Sequence, residues 1–245
     1  AADPERKLAG AELMSCGTTL SGYVEVSTVW ALATPKDASG INAFPNTLRM
    51  PGRSYDVPAK MDGFNFEAFV LTLEKPLGEE ALSAGYRAQI FFGPDAELRN
   101  LFSLGGGGGS DVGLSEAFVT LRTPPGNGLD FKLGYFLNPI GYESFHSGEN
   151  ANFSHSYGYF IEPKQHTGIT MSHAFAEWFR ATVGVANNYS TYIDARTQNR
   201  GSLTYLGALE FDGAFFDRKD ITLKLGYTEG HTDSGAPTDT GPRIY

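Results

Sequence analysis

One cysteine is all this sequence carries. Cys16 has no partner within the chain, so an internal disulfide is excluded. Charge is also scarce: Asp, Glu, Lys and Arg make up 19% of the residues, where about a quarter is usual for a soluble domain. Cations are the smaller share, 19 Lys and Arg against 28 Asp and Glu, and the net charge of −9 disfavours a nucleic-acid partner. No run of about eighteen apolar residues is present, which excludes a transmembrane helix. It does not exclude the membrane, because barrel strands alternate apolar with polar side chains and escape such a scan.

Aromatic residues and glycine are plentiful, with 18 Phe, 12 Tyr and 30 Gly. The clearest pattern lies between Leu114 and Glu143. Ala117, Val119 and Leu121 fall on one face of a strand and Glu116, Thr120 and Arg122 on the other, since side chains alternate along an extended chain. The segment Thr123-Pro124-Pro125-Gly126-Asn127-Gly128 suits a turn and not a strand interior. A second strand then sets Leu129, Phe131, Leu133, Tyr135 and Leu137 against Asp130, Lys132, Gly134 and Asn138. The product is a hairpin with one apolar and one polar face.

The same unit recurs. Leu20 to Leu32 sets Val24, Val26, Thr28 and Trp30 against Tyr23, Glu25 and Ser27. Gly63 to Leu77 sets Phe64, Phe66, Ala68 and Val70 against Asn65 and Glu67, with both faces apolar towards its end. Tyr86 to Phe92 turns Arg87 and Gln89 away from Ala88 and Ile90. Tyr159 to Phe175 reads as the sixth strand, and the seventh places Phe179, Ala181, Val183 and Val185 opposite Arg180, Thr182, Gly184 and Ala186. In the eighth, Leu203, Tyr205, Leu209 and Phe211 oppose Thr204, Glu210 and Asp212; in the ninth, Ile221, Leu223, Leu225 and Tyr227 oppose Thr222, Lys224 and Thr228.

Connections after the odd strands are long and those after the even strands short. Outer-membrane barrels segregate loop length in this way, with short periplasmic turns, long external loops and periplasmic termini. The expected fold is therefore an antiparallel transmembrane β-barrel over residues 19–245, behind a polar periplasmic segment, 1–18, whose start Ala1-Ala2-Asp3 reads as a mature N-terminus. About nine strands are visible, and Ile244-Tyr245 only begins a tenth. Single-chain bacterial barrels close on even numbers, so the chain is expected to be part of a larger barrel whose C-terminal strands are missing. Acidic residues of the loops and turns, such as Asp37, Asp56, Asp62, Glu79, Glu80, Asp95 and Glu97, read as solvated charge. The run Gly105 to Gly109 lacks the flanking strand and helix of a phosphate cradle and reads as flexible loop.

Several stretches together resemble the OmpL-like β-barrel porins, a bacterial outer-membrane family. They are Leu20-Ser21-Gly22-Tyr23-Val24-Glu25, Leu73-Glu74-Lys75-Pro76-Leu77 and Phe92-Gly93-Pro94-Asp95-Ala96. Gly126-Asn127-Gly128-Leu129-Asp130-Phe131-Lys132 and Asn138-Pro139-Ile140-Gly141-Tyr142-Glu143 follow. Asn152-Phe153-Ser154-His155-Ser156-Tyr157 and Glu162-Pro163 with His166-Thr167-Gly168 complete the set. The resemblance implies an outer-membrane barrel with a pore, and it brings no catalytic residues with it.

Candidate functional residues follow from the two faces. Glu25, Glu67, Arg87, Glu116, Lys132, Arg180, Glu210 and Lys224 lie opposite the apolar rows. In a barrel they either line a lumen, where mixed charge creates a transverse field, or pair across strands and fill a narrow interior. Trp30, Tyr135, Tyr142, Phe145, Trp178 and Phe179 stand near strand ends, as the aromatic girdles of the two membrane interfaces do; carbohydrate stacking is the alternative. His146, Glu149 and His155 share one loop without the spacing of a metal motif, so neither metal nor cofactor is expected. Ser172 and His173 are adjacent, point to opposite faces and cannot act as a nucleophile and base on each other.

The expected function is a porin-like channel for passive diffusion of small hydrophilic solutes, embedded in outer-membrane lipid. The alternatives are a non-conducting structural barrel that binds partner proteins, and a soluble carbohydrate-binding β-sandwich. A homo-oligomer or an envelope partner cross-linked through Cys16 belongs with the structural reading. An enzyme comes last.

Overall fold

The computed structural model describes residues 17–30, 60, 63–98, 111–124, 126–156, 158–159, 162–187, 203–216, 218, 221–231 and 239–244. Cys16 and the five-glycine run lie outside them. Ten strands form a single sheet in chain order: β1 (Thr19–Val29), β2 (Gly63–Lys75), β3 (Ser83–Phe92), β4 (Val112–Thr123), β5 (Leu129–Leu137), β6 (Gln165–Ala176), β7 (Phe179–Ala186), β8 (Thr204–Phe211), β9 (Leu223–His231) and β10 (Asp239–Ile244). Every pairing is antiparallel between sequence neighbours. Among the described residues β1 and β10 pair on one side only, so the sheet is not closed. One continuous sheet replaces the two packed layers that a β-sandwich requires.

The nine expected strands are present, and a short tenth joins them. Asp239–Ile244 carries Pro242 and no alternation, which reads as loop. The register with β9 steps between Thr240 and Arg243, and the proline sits inside that irregularity, on the edge. The sixth strand begins at Gln165, not Tyr159, because Tyr159 to Lys164 belong to the preceding connection. Connections 30–62, 93–111, 138–164 and 187–203 are longer than 76–82, 124–128 and 177–178, as expected. Two connections break that rule: 212–222, expected short, is long and holds a 3-10 turn at Gly213–Phe216, and 232–238, expected long, is no longer than 76–82.

The two faces are inverted relative to a water-soluble core. Val26 is 70% exposed, and Val24, Val119, Leu133, Val183, Tyr205 and Leu225 are also exposed. Thr72, Gln89, Glu116, His166, Thr170, Thr204 and Thr228 are buried. Exposed apolar rows over a polar interior are stable only where lipid replaces water.

Two bulges explain where simple alternation misleads. Glu25 pairs with Ala68 and Val26 with Phe66, leaving Glu67 as an extra residue; Gln89 pairs with Glu116 and Ile90 with Leu114, leaving Ser115 extra. Each bulge shifts the strand's parity by one. Phe64, Phe66, Phe69 and Leu73 are all exposed, whereas Ala68 and Val70 are buried. The expectation that Phe64, Phe66, Ala68 and Val70 share one face is therefore corrected.

Asp95, read as solvated, is fully buried in helix α1 (Pro94–Leu98). Its Oδ1 lies 3.4 Å from Lys60 Nζ, and Lys60 also pairs with the buried Glu67 at the bulge. One ammonium thus ties α1 to β2.

Candidate lumen and constriction

The polar face carries a lattice of charge. Arg87 Nη1 donates to Glu74 Oε2 at 3.0 Å, and its Nε lies 2.9 Å from Glu116 Oε2. Lys132 Nζ sits 4.6 Å from the Phe118 ring centroid, and Lys224 Nζ 3.3 Å from Glu210 Oε1. Arg180 is exposed and stands opposite Glu210 in the register. Glu25 is half-buried beside Ser27, whose hydroxyl donates to Glu67. Glu67 differs from the others: with its carboxylate enclosed by Lys60 and Ser27, it lines no open space.

Apolar side chains interrupt this face in two places. Ala68, Val70 and Phe91 form one patch with Phe145 and Ala96. Phe136, Ala186 and Leu206 form the other, with Phe118 against them. Alternation puts Phe91, Phe118, Phe136 and Leu206 on the polar side, which is unexpected in a purely aqueous interior.

The β5–β6 connection accounts for the first patch. Its base is clamped where Asn138 N donates to Lys164 O at 2.8 Å and Asn138 Nδ2 to Pro163 O at 2.9 Å. Ile140 is buried with its side chain over Gly226 of β9, in the place a side chain there would occupy. Gly141, at φ +96°, turns the chain and leaves room for the Glu162 carboxylate. His146 then stacks on Phe91 of β3, with centroids 5.5 Å apart, and its Nδ1 lies 2.8 Å from the Tyr23 hydroxyl of β1. Phe145 meets Phe91 edge-on at 5.8 Å.

One short segment therefore touches β9 at Ile140 and both β1 and β3 at His146. Gly226, Tyr23 and Phe91 all belong to the polar face, so the sheet curls with that face inside and the loop crosses the space it encloses. Six residues reach at most about 20 Å, which bounds the width spanned.

Further along, His155 Nδ1 is 3.0 Å from Glu143 Oε2, and its ring stacks on Tyr159 with centroids 3.8 Å apart. Lys164 Nζ lies 3.3 Å from the same Tyr159 centroid. Burial pushes Lys164 down to about 8, against the opposing pull of Glu162 and Glu143. Burial also raises Glu162, although Lys164 works the other way. For Glu143 burial acts upward but is outweighed by hydrogen bonds from Ser156 and His155, which hold its carboxyl below the ordinary range.

Between loop and wall lies a cavity of about 500 Å³, lined by Gly141, Tyr142, Glu162, Glu210, Thr222, Leu223 and Lys224. Tyr142, expected in an interface girdle, stands here instead at 91% exposure. Tyr135, expected beside it, is buried. Phe145, from the same group, packs inside. Trp178 and Phe179 do join an aromatic cluster at the short-turn end, with Phe175, Phe211 and Phe215 at centroid distances of 4.9 to 5.9 Å. Trp30 meets Phe64 edge-on at 6.2 Å.

His146, Glu149 and His155 go to different partners: Tyr23, Ser144 and Glu143. Among the described residues no three His, Cys, Asp or Glu side chains gather as metal ligands do. Ser172 Oγ lies 2.8 Å from Thr182 Oγ1, and His173 Nδ1 2.8 Å from Gly128 O.

A family model described as Putative beta-barrel porin-2, OmpL-like, matches residues 17–240. The chain belongs to that family. No curated protein and no solved structure matches it. The porin family agrees with the all-β sheet, the inverted faces and a polar interior, and it supports a porin-like protein of the bacterial outer membrane.

The loop's inward path was the part hidden from sequence reasoning. A signal was present in the apolar side chain that breaks the polar row of β3, since Phe91 needed something to pack against.

Proposed function

We propose that this protein is a channel for passive diffusion of small hydrophilic solutes, narrowed by its own β5–β6 loop. The observation that carries this is the crossing of the charge-bearing interior by residues 140–146. Glu74, Arg87, Glu116 and Lys132 on neighbouring strands supply a mixed-sign wall, which makes entering water and solutes face a local field rather than a uniform charge. The lipid-facing rows end in Trp178 and Phe179 at one rim and Trp30 at the other, and segment 1–18 is assigned to the periplasm. Planar-bilayer recording of the full-length protein is expected to give discrete, stable steps. Silence from a folded barrel would sink this reading.

The inner apolar patches favour a second reading, a plugged barrel that presents its loops to partner proteins. Oligomers and a cross-link through Cys16 fit there, and they predict silence in the bilayer together with a stable complex in envelope extracts.

Lys164 gives a pH test. A lysine lowered to about 8 is charged at pH 7 and mostly neutral at pH 9. Raising the pH across that window removes a positive charge from the base of the loop that narrows the channel, so cation preference, read as reversal potential, is expected to increase. Lys164→Met should hold the higher preference at both values. An equal shift in the variant would assign the titration to another group.

A further inference from the structure

Tyr142 is an anomaly in its setting. A nearly bare aromatic ring usually faces lipid in this fold, yet this one stands inside the curl of the sheet, between loop and wall. It also borders a second cavity of about 300 Å³, lined by Glu143, Ser144, Glu149, Asn150 and Asn152 among others, on the loop side. Its ring is thus accessible from the solute path and is committed to no packing partner.

The polar groups around the larger cavity have a particular balance. Glu210 and Lys224 lie 3.3 Å apart and compensate one another. Glu162 is opposed by the field of Lys164, and its own burial favours the neutral carboxyl. Thr222 adds a hydroxyl, and Leu223 borders the cavity. Such a lining offers donors and acceptors with little net charge, which suits a neutral solute better than an ion. At about 500 Å³ the cavity falls within the roughly 300–1,000 Å³ of small-ligand sites.

We infer that this cavity is a subsite for a neutral polyhydroxylated ring, a mono- or disaccharide unit, stacked on Tyr142 with its hydroxyls on Glu162, Glu210 and Lys224. The flat C–H face of a pyranose lies against the aromatic plane while its edge hydroxyls replace water on the carboxylates and ammonium. The inference rests on the channel reading, for the sugar is met on its way through the lumen. It makes the pore a selective one at this point, retaining sugars briefly and passing salt freely.

The test is current block by maltose in planar bilayers carrying the full-length protein, with Tyr142→Ala and Tyr142→Phe compared after each is shown to be folded by heat-modifiable gel mobility. Maltose is expected to reduce the wild-type current in a saturable way. Tyr142→Ala should raise the half-blocking concentration about tenfold, the scale of one lost aromatic stack, while Tyr142→Phe stays close to wild type. Salt current without saturable block, slowed alike in all three proteins as by viscosity, would overturn the subsite and leave the channel standing. No salt current from folded protein would overturn the channel. Saturation transfer from detergent-solubilised protein to maltose then decides the subsite separately: transfer in wild type and not in Tyr142→Ala upholds it, and transfer in neither removes it.

Discussion

Deleting residues 144–156 is expected to raise single-channel conductance several-fold while the barrel stays folded. The deletion removes His146 from Phe91 and Tyr23, so the segment crossing the interior loses its anchor on the β1–β3 side. The strands keep all their ladder pairs, which lie elsewhere. A milder variant approaches the same contact from the other wall. Gly226→Val puts a branched side chain where Ile140 now sits, and the loop must withdraw. Both variants should show larger and noisier steps. Unchanged conductance in two folded variants would mean that the loop does not limit flow.

The largest expected loss of stability is at Lys60. Its ammonium is shared by Glu67 and Asp95, whose side chains are 1% and 0% exposed. Lys60→Met leaves both carboxylates in place without that shared cation, and removing one member of a buried ionic group costs about 3–5 kcal/mol. Urea unfolding in detergent micelles should show it as a lower midpoint with an unchanged slope. Adding Glu67→Gln to Lys60→Met should recover part of the loss by neutralising one of the two acids. A midpoint equal to wild type for Lys60→Met would remove the triad from any structural role.

Much of this architecture was legible in the residues. The hairpin of β4 and β5 was readable because Val119, Leu121, Phe131 and Leu133 alternate without interruption and Gly126 and Gly128 sit in the turn, where φ is +60° and +96°. The β2 pattern was harder, since the bulge at Glu67 moves the apolar row from one parity to the other and no composition rule marks that spot. Pro242 concealed β10 for a similar reason: local chemistry argued against a strand that an edge position tolerates.

The site was less legible than the sheet. Glu116, Lys132, Glu210 and Lys224 could be assigned to the polar face from period two alone. Tyr142 was expected in the interface girdle and stands elsewhere, because its position depends on a fold-back set by Gly141, Ile140 and the opposite wall, and such contacts have no periodic signature. The same long-range packing turned Asp95 from an expected surface charge into a buried one.

Each strand of this sheet pairs with its chain neighbours, so the wall can grow by successive hairpins, each closing a short stretch of chain. The β5–β6 segment follows a different clock. Tyr23 on β1 precedes it in the chain, but Gly226, the support for Ile140, comes within reach only after β9 has been laid down and the sheet has bent around. The gate is therefore expected to be completed after the wall that holds it. Time-resolved footprinting should find the ladder amides of β1–β5 protected before His146 is shielded.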